Sequence, residues 1–238
     1  MYDKDHHFLD TNVIIGYTVE WDDHNHFSEK YFSEACENDC DLHTSVRVGE
    51  EARTVVEDCR RLILQAFELL SSDFKPREDR NLRRDMFNFL IDNFSDRERF
   101  SSLKKYLEYK FMDIRNLVLR GYTLDKVMGE VQDDFRLPLE FLHSMKNDEN
   151  NDIHFFDNVP PKYSSVYPQK FSKLDSIMEN KSDRDIAFDA FHLKREKDYP
   201  EIVLSSFDSD FVDGRFKPSI EGILTGLYIF NLLELGKS

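Results

Sequence analysis

The stretch His7-Phe8-Leu9-Asp10-Thr11-Asn12-Val13-Ile14-Ile15 surrounds a single acid with apolar, β-branched residues. Such a run is typical of a strand that is buried on both faces of a parallel sheet. We therefore predict a strand through this stretch, with Asp10 inside it. An ionised carboxylate in that position is costly unless it is paired or binds a metal ion. The alternative is an Asp that ends the strand and caps a turn through Thr11 and Asn12.

The composition of the 238 residues is that of a folded protein with a sizeable core. Hydrophobic residues make up 40% and aromatic residues 13%, which excludes a disordered chain. The longest apolar stretch, residues 223–233, is shorter than the roughly 20 residues that cross a bilayer. The amino terminus has no signal-peptide pattern, and the three cysteines show no disulfide framework. We expect no membrane contact and a cytoplasmic location.

The charge is distributed unevenly along the chain. The net charge of −15 argues against nonspecific binding of nucleic acid over the whole surface. Residues 75–120, however, contain twelve basic and eight acidic side chains, a net charge of +4. Arg80, Arg83 and Arg84 follow one another at helical spacing. We predict that they bind an RNA backbone, with an ordinary solvated helix face or a protein partner as the alternatives.

A second acid lies early in a predicted helix. Residues 42–44 are a short strand candidate, Ser45 is a good N-cap, and helical periodicity then runs through Val48 and Val55. Glu51 shares the inward face of that helix, whereas Glu50 points about 100° away, toward solvent. A solvated helix face explains Glu50 better than it explains Glu51.

More acids follow in the last third of the chain. Ser182 is predicted to N-cap a helix with Asp183 and Asp185 in its first turn. Residues 201–206 form a short apolar strand that leads directly into Asp208 and Asp210. Carboxylates that converge from strand ends and helix starts, without His or Cys, are typical of hard-cation sites. A Mg²⁺ ion held in this way activates water for displacement at phosphorus.

Three separated stretches together resemble the PIN-domain nuclease family. Phe8-Leu9-Asp10-Thr11-Asn12-Val13 resembles the family's opening strand, and Ser45-x-x-Val48-x-x-Glu51 resembles the helix with its second acid. The family's closing helix is similar to Asp183-x-x-Ile186-Ala187-x-x-Ala190. Its closing strand is similar to Val203-Leu204-Ser205-Ser206-x-Asp208-x-Asp210-Phe211. The likeness covers about the first 55 and the last 60 residues.

The resemblance implies a fold, a cofactor and an activity. The fold is an α/β three-layer α/β/α sandwich with a central, mainly parallel sheet, and the activity is hydrolysis of RNA phosphodiester bonds with Mg²⁺ or Mn²⁺. The implied metal ligands are Asp10, Glu51, Asp183, Asp208 and Asp210, of which the first four are catalytic. We assign Asn12 and Ser206, beside these acids, to substrate binding. Asp185 competes with Asp183 as the third acid, and the spacing to Ile186 favours Asp183.

The resemblance also implies partners. Many family members are toxins held by a cognate antitoxin, others process RNA, and many dimerise. RNA, an antitoxin or other protein, and a second copy of the chain are therefore the expected partners. We predict a single PIN-like domain over residues 1–238, with core segments at about 1–70 and 165–238. A helical insertion at about 71–150, with one of its helices stopped by Pro138, separates them.

Two other functions compete with a nuclease. A haloacid dehalogenase-like phosphatase would use Asp10 as its nucleophile, but that chemistry needs a second Asp where this chain has Asn12. A catalytically silent PIN-like module would bind RNA or protein without turnover. The presence of all four principal acids argues against the silent module.

Overall fold

The computed structural model describes residues 5–74, 81–93, 100–112, 114–115, 124–145, 152–212 and 214–237. The chain forms two compact units. The first combines Met1–Arg53 with Phe141–Ser238, and the second is Thr54–Glu140. The helical insertion that we predict spans about 71–150, whereas the second unit begins and ends some residues earlier.

The first unit contains a five-stranded sheet in which every neighbouring pair of strands is parallel, in the order β3-β2-β1-β4-β5. Helices flank this sheet, so the predicted α/β class with a three-layer α/β/α sandwich is confirmed. The strands are β1 His6–Leu9, β2 Asp41–Ser45, β3 Ile153–Phe156, β4 Ile202–Ser206 and β5 Leu227–Asn231.

The described residues also form eleven α-helices and a short 3₁₀ helix at Leu232–Lys237. The helices are α1 Thr11–Thr18, α2 Asn25–Glu37, α3 Val46–Asp73, α4 Leu82–Asn93, α5 Phe100–Tyr109, α6 Leu124–Ser144, α7 Tyr163–Val166, α8 Pro168–Asp175, α9 Lys181–Glu196, α10 Ser209–Val212 and α11 Lys217–Ile223.

The strand predicted through residues 7–15 is wrong beyond Leu9. Asp10 follows β1 directly and is the N-cap of α1, its carboxylate accepting a hydrogen bond from the Thr11 backbone N–H. Val13 and Ile14 are fully buried on that helix. The burial of one helix face therefore outweighs the β-propensity of these branched residues. The alternative interpretation, an acid that ends the strand, is the correct one.

Two other local predictions need correction. β3 was not expected, because the predicted core segments resume only at about residue 165. Pro138 does not stop its helix, since α6 continues through it to Ser144. Proline removes one backbone hydrogen bond and costs about 3 kcal/mol inside a helix, so the packing of the buried Val131, Phe135 and Leu142 outweighs it.

The described part of the second unit is helical, as predicted. It comprises the later part of α3, α4, α5 and most of α6. Met86 and Leu90 are buried on α4, and Leu103 and Leu107 are buried on α5. On α3 the buried residue is Val56, whereas Val55, which we placed on the inward face, is 46% exposed.

A fully buried carboxylate, Asp189 on α9, joins α9 to the start of α3. It accepts hydrogen bonds from Ser45 Oγ at 2.5 Å, Tyr163 Oη at 2.6 Å and Arg47 Nε at 3.3 Å. Ser45 Oγ in turn accepts from the Val48 N–H, which confirms Ser45 as the cap of α3. This network holds together the two helices that carry Glu51 and Asp183.

We expect Tyr163→Phe to lower the free energy of unfolding by about 1.5–3 kcal/mol, because it removes a hydrogen bond to a buried charge. Tyr228→Phe is the matched control, since its hydroxyl donates to Glu201 in a solvent-exposed hydrogen bond and surface changes stay within about 0.5 kcal/mol. Urea denaturation of both variants gives the comparison. Equal losses in the two variants would contradict a special role for the Asp189 network.

Candidate metal centre

The predicted acids lie where the sheet changes its direction of winding. From β1 the chain passes to β2 and β3 on one side of the sheet, and β4 and β5 lie on the other side. Ligands of open α/β sheets bind at such a switch point, outside the carboxyl ends of the strands. Asp10 follows the carboxyl end of β1, and Asp208 follows that of β4.

Asp10 is held between the carboxyl ends of the neighbouring strands β1 and β4. Its side chain is only 3% exposed. Oδ1 accepts from the Thr11 N–H at 2.7 Å, and Oδ2 accepts from Ser206 Oγ at 2.5 Å. The backbone N–H of Asp10 also donates to the carbonyl of Ser205. Asp10 is therefore anchored in place from both β1 and β4.

Ser206 and Asn12 position the loop that follows β4. Ser206 Oγ accepts from the Asp208 N–H at 2.9 Å, and Asn12 Oδ1 accepts from the Phe207 N–H at 3.2 Å. Asn12 Nδ2 lies 3.5 Å from Ser206 Oγ as a further donor. Ser206, which we predict to bind substrate, is fully buried. Its hydroxyl group holds Asp10 and the Asp208 N–H, and binding of substrate by Ser206 and Asn12 stays a prediction.

Asp208 and Asp210 sit at the start of the short helix α10. The Asp210 N–H donates to Asp208 Oδ1 at 2.8 Å, so Asp208 caps this turn. Ligand oxygens of Asp183, Asp208 and Asp210 lie within 4.8 Å of one another. The structure thus brings together three of the five predicted metal ligands as one cluster, which we call the acidic cluster.

Two hydroxyl groups hold the Glu51 carboxylate at the edge of the acidic cluster. Thr11 Oγ1 donates to Glu51 Oε2 at 2.9 Å, and Ser182 Oγ lies 3.0 Å from both carboxylate oxygens. The prediction that Ser182 is the N-cap of α9 is wrong. Asn180 caps the helix by accepting from the Ser182 N–H, which leaves the Ser182 hydroxyl available for Glu51.

The two candidates for the third acid have different surroundings. Asp183 is 8% exposed, and its Oδ2 has no hydrogen-bond partner among the described residues. Asp185 lies 3.4 Å from Arg47 Nη1 and 3.3 Å from Arg184 Nη2. Asp185 is therefore neutralised by arginines, whereas Asp183 faces the other acids, as the preferred assignment requires.

The acids of the site are crowded, and within the described part of the chain the neighbouring charges that act on Asp183 are those of other acids. Burial raises the pKa of Asp183 to about 8, and the charges of Asp208, Asp10, Asp210 and Glu51 add to the effect. Burial likewise raises the pKa of Asp10 to about 7, although the hydrogen bonds from Ser206 and Thr11 oppose the increase. Without a counter-charge, this arrangement costs folding free energy at neutral pH.

The donor set fits a hard divalent cation. Three carboxylates supply oxygen ligands, Asp183 Oδ2 has no other partner within the described chain, and water fills the remaining positions around Mg²⁺ in protein sites. Asp183, Asp208 and Asp210 would hold the ion directly. Asp10 and Glu51 border the cluster and add negative charge.

Three residues that the sequence analysis missed build this site: Thr11, Ser182 and Asp189. Thr11 and Ser182 are hydroxyl residues at helix starts, where capping explains their presence, so the sequence does not mark them as site residues.

Among the basic residues, Arg83 donates to Glu108 at 2.7 Å and Arg84 lies 3.4 Å from Asp85. Arg80 lies outside the described residues, and RNA binding by these arginines stays a prediction.

Comparison of the chain with models of known families, with curated proteins and with solved structures finds no significant match. The resemblance to PIN-domain nucleases therefore stays a hypothesis that depends on the residues themselves. In the described part of the chain, no helix combines the length and the apolar character that crossing a membrane requires.

We expect Asp183→Asn to raise the melting temperature of the metal-free protein at about pH 8 by several degrees. The pKa of Asp183 is raised above that of the unfolded chain, so wild-type stability falls as the pH rises from about 4 to about 8. The gain of the variant should therefore shrink toward about pH 5. Differential scanning calorimetry of both proteins in EDTA, at pH values from about 5 to about 8, measures this gain in melting temperature.

Asp185→Asn is the matched control for this experiment. Asp185 forms ion pairs with Arg47 and Arg184, so its removal should give no gain that grows with pH. If Asp183→Asn lowers the melting temperature at about pH 8, the acids are not mutually repulsive and the description of the cluster is wrong.

Proposed function

We propose that this protein is a metal-dependent endoribonuclease of the PIN-like type. The single observation that carries the proposal is the convergence of Asp183, Asp208 and Asp210, within 4.8 Å of one another, beside Asp10 at the switch point of a parallel sheet. The choice of RNA as substrate depends on the resemblance to the PIN-domain family.

The proposed roles follow from the contacts of each side chain. Asp183, Asp208 and Asp210 hold Mg²⁺ or Mn²⁺. When bound, such an ion provides charge stabilisation and an activated water for in-line displacement at phosphorus. Asp10 is fixed by Ser206 and Thr11, and Glu51 is fixed by Thr11 and Ser182. Both would position the other acids and add negative charge beside the ion.

The haloacid dehalogenase-like alternative is less well supported. Its nucleophile, Asp10, is 3% exposed, and both of its oxygens accept hydrogen bonds from the protein. A carboxylate that attacks phosphorus needs a free oxygen facing the substrate. The silent binding module differs from the nuclease only in turnover, so an assay of cleavage separates the two.

A cytoplasmic location and a protein partner belong to the same proposal. No disulfide bond joins the three cysteines within the described residues, as is usual in a reducing compartment. An antitoxin-type partner or a second copy of the chain is implied by the resemblance. Processing of cellular RNA is the other role that the resemblance implies.

We expect Asp10→Asn to reduce cleavage of single-stranded RNA by at least about 100-fold, or about 2.7 kcal/mol of transition-state stabilisation. The reason is that Asn keeps the shape of the side chain but removes its charge from the site. A fluorescent RNA of mixed sequence with Mn²⁺ gives the rate, and circular dichroism checks the fold. A variant rate equal to that of wild type would exclude the assignment. A wild-type protein that binds Mn²⁺ but cleaves no RNA would favour the silent module.

A matched pair of variants tests Glu51 against its neighbour. We expect Glu51→Gln to lower the cleavage rate at least about tenfold, because Glu51 is held against the acids by Thr11 and Ser182. Glu50→Gln should have little effect, since Glu50 is exposed. The same RNA assay compares the two. Equal effects, or a larger effect at Glu50, would show that Glu51 does not belong to the site.

A further inference from the structure

A second group of metal-ligating side chains lies at the opposite end of the strands from the acidic cluster. His6 begins β1 and is paired in register with Asp41, which begins β2. His43 lies two residues further along β2 and is paired with His154 on β3. Paired residues, and residues two apart on a strand, point to the same face of a sheet. All four side chains therefore share one face.

The ligand atoms of this group are close enough for one ion. One ligand atom from each of His6, Asp41 and His43 lies within 4.8 Å of the others. His6 Nδ1 is 3.1 Å from Asp41 Oδ2, and His154 Nε2 is 3.9 Å from Asp41 Oδ1. Ligands of a tetrahedral zinc ion at about 2.0–2.1 Å lie roughly 3.3 Å apart. The distance between His6 Nδ1 and Asp41 Oδ2 is already close to that spacing.

An independent observation concerns His43. Its side chain is 4% exposed, and its Nε2 has no hydrogen-bond partner in the part of the chain that the structure describes. A buried polar atom without a partner costs about 1–3 kcal/mol, so a native structure rarely leaves one unused. His43, His154 and Asp41 line a cavity of about 510 Å³. The orphaned imidazole thus borders a space that is large enough for an ion and water.

The orientation of His6 is restricted by a neighbouring ring. His6 is stacked on Tyr199 at a centroid distance of 3.6 Å, and Tyr199 also lines the cavity.

We propose that His6, Asp41 and His43 bind a zinc-type transition-metal ion, with His154 as the fourth ligand. The donor set of imidazole nitrogens and one carboxylate oxygen is typical of Zn²⁺ rather than of Mg²⁺, which takes oxygen ligands. The ion would join β1, β2 and β3 at the amino-terminal end of the sheet. This site shares no residue with the acidic cluster, so the proposal does not depend on the proposed nuclease function.

Isothermal titration with Zn²⁺, with millimolar Mg²⁺ present to occupy the acidic cluster, tests the proposal. We expect wild type to bind one zinc ion per chain. Asp41→Asn and His6→Gln should each weaken this binding at least about tenfold. Both residues are partly or largely exposed, so neither variant removes a buried core side chain. His143→Gln is the matched control, because His143 is an exposed histidine on another element.

Binding of Co²⁺ gives a spectroscopic readout, since tetrahedral Co²⁺ absorbs strongly in the visible range. We expect these bands in wild type, in His143→Gln and in Asp183→Asn, and their loss in Asp41→Asn. The proposal is overturned if wild type binds no zinc, or if Asp41→Asn and His6→Gln bind it as wild type does. It is also overturned if zinc binding is lost in Asp183→Asn alone, because the ion would then occupy the acidic cluster.

Discussion

The hydrogen bond from Ser206 Oγ to the Asp10 carboxylate joins the carboxyl ends of the neighbouring strands β1 and β4. Ser206 also accepts from the Asp208 backbone N–H, so one hydroxyl group fixes both an acid of β1 and the loop that follows β4. Asn12 adds a second connection to this loop through the Phe207 N–H. These bonds oppose the mutual repulsion of Asp10 and Asp208.

The other acids are held near this point by bonds that offset part of their repulsion. Glu51 accepts from two hydroxyl groups, Thr11 and Ser182, that come from different elements. Asp183 lies in the first turn of the sixteen-residue helix α9, where the helix dipole favours a negative charge. Its raised pKa nevertheless shows that the compensation is incomplete. A bound divalent cation would supply the missing counter-charge, and folding and cation binding are thereby coupled.

The sequence predicts the fold class and the acids better than it predicts the boundaries. The apolar strand of residues 201–206 and its trailing acids were recognisable because pattern and position agree. The stretch at residues 11–15 was misassigned, since β-branched residues also occur on buried helix faces and only the capping role of Asp10 distinguishes the two. Asp183, the preferred third acid, lies in the cluster, whereas Asp185 pairs with arginines, and the role of Asp183 as a metal ligand stays a prediction. By contrast, Ser182, Thr11 and Asp189 act through partners that are distant in sequence, and no local pattern identifies such partners.

The central claim is that folding holds Asp183, Asp208 and Asp210 together as the site of a divalent cation. Titration of the protein with Mn²⁺, followed by the electron paramagnetic resonance signal of the free ion, measures this most directly. The account predicts one Mn²⁺ site per chain that Mg²⁺ displaces, that Asp185→Asn retains and that Asp183→Asn loses. Binding of Mn²⁺ that is the same in wild type and in Asp183→Asn would contradict it.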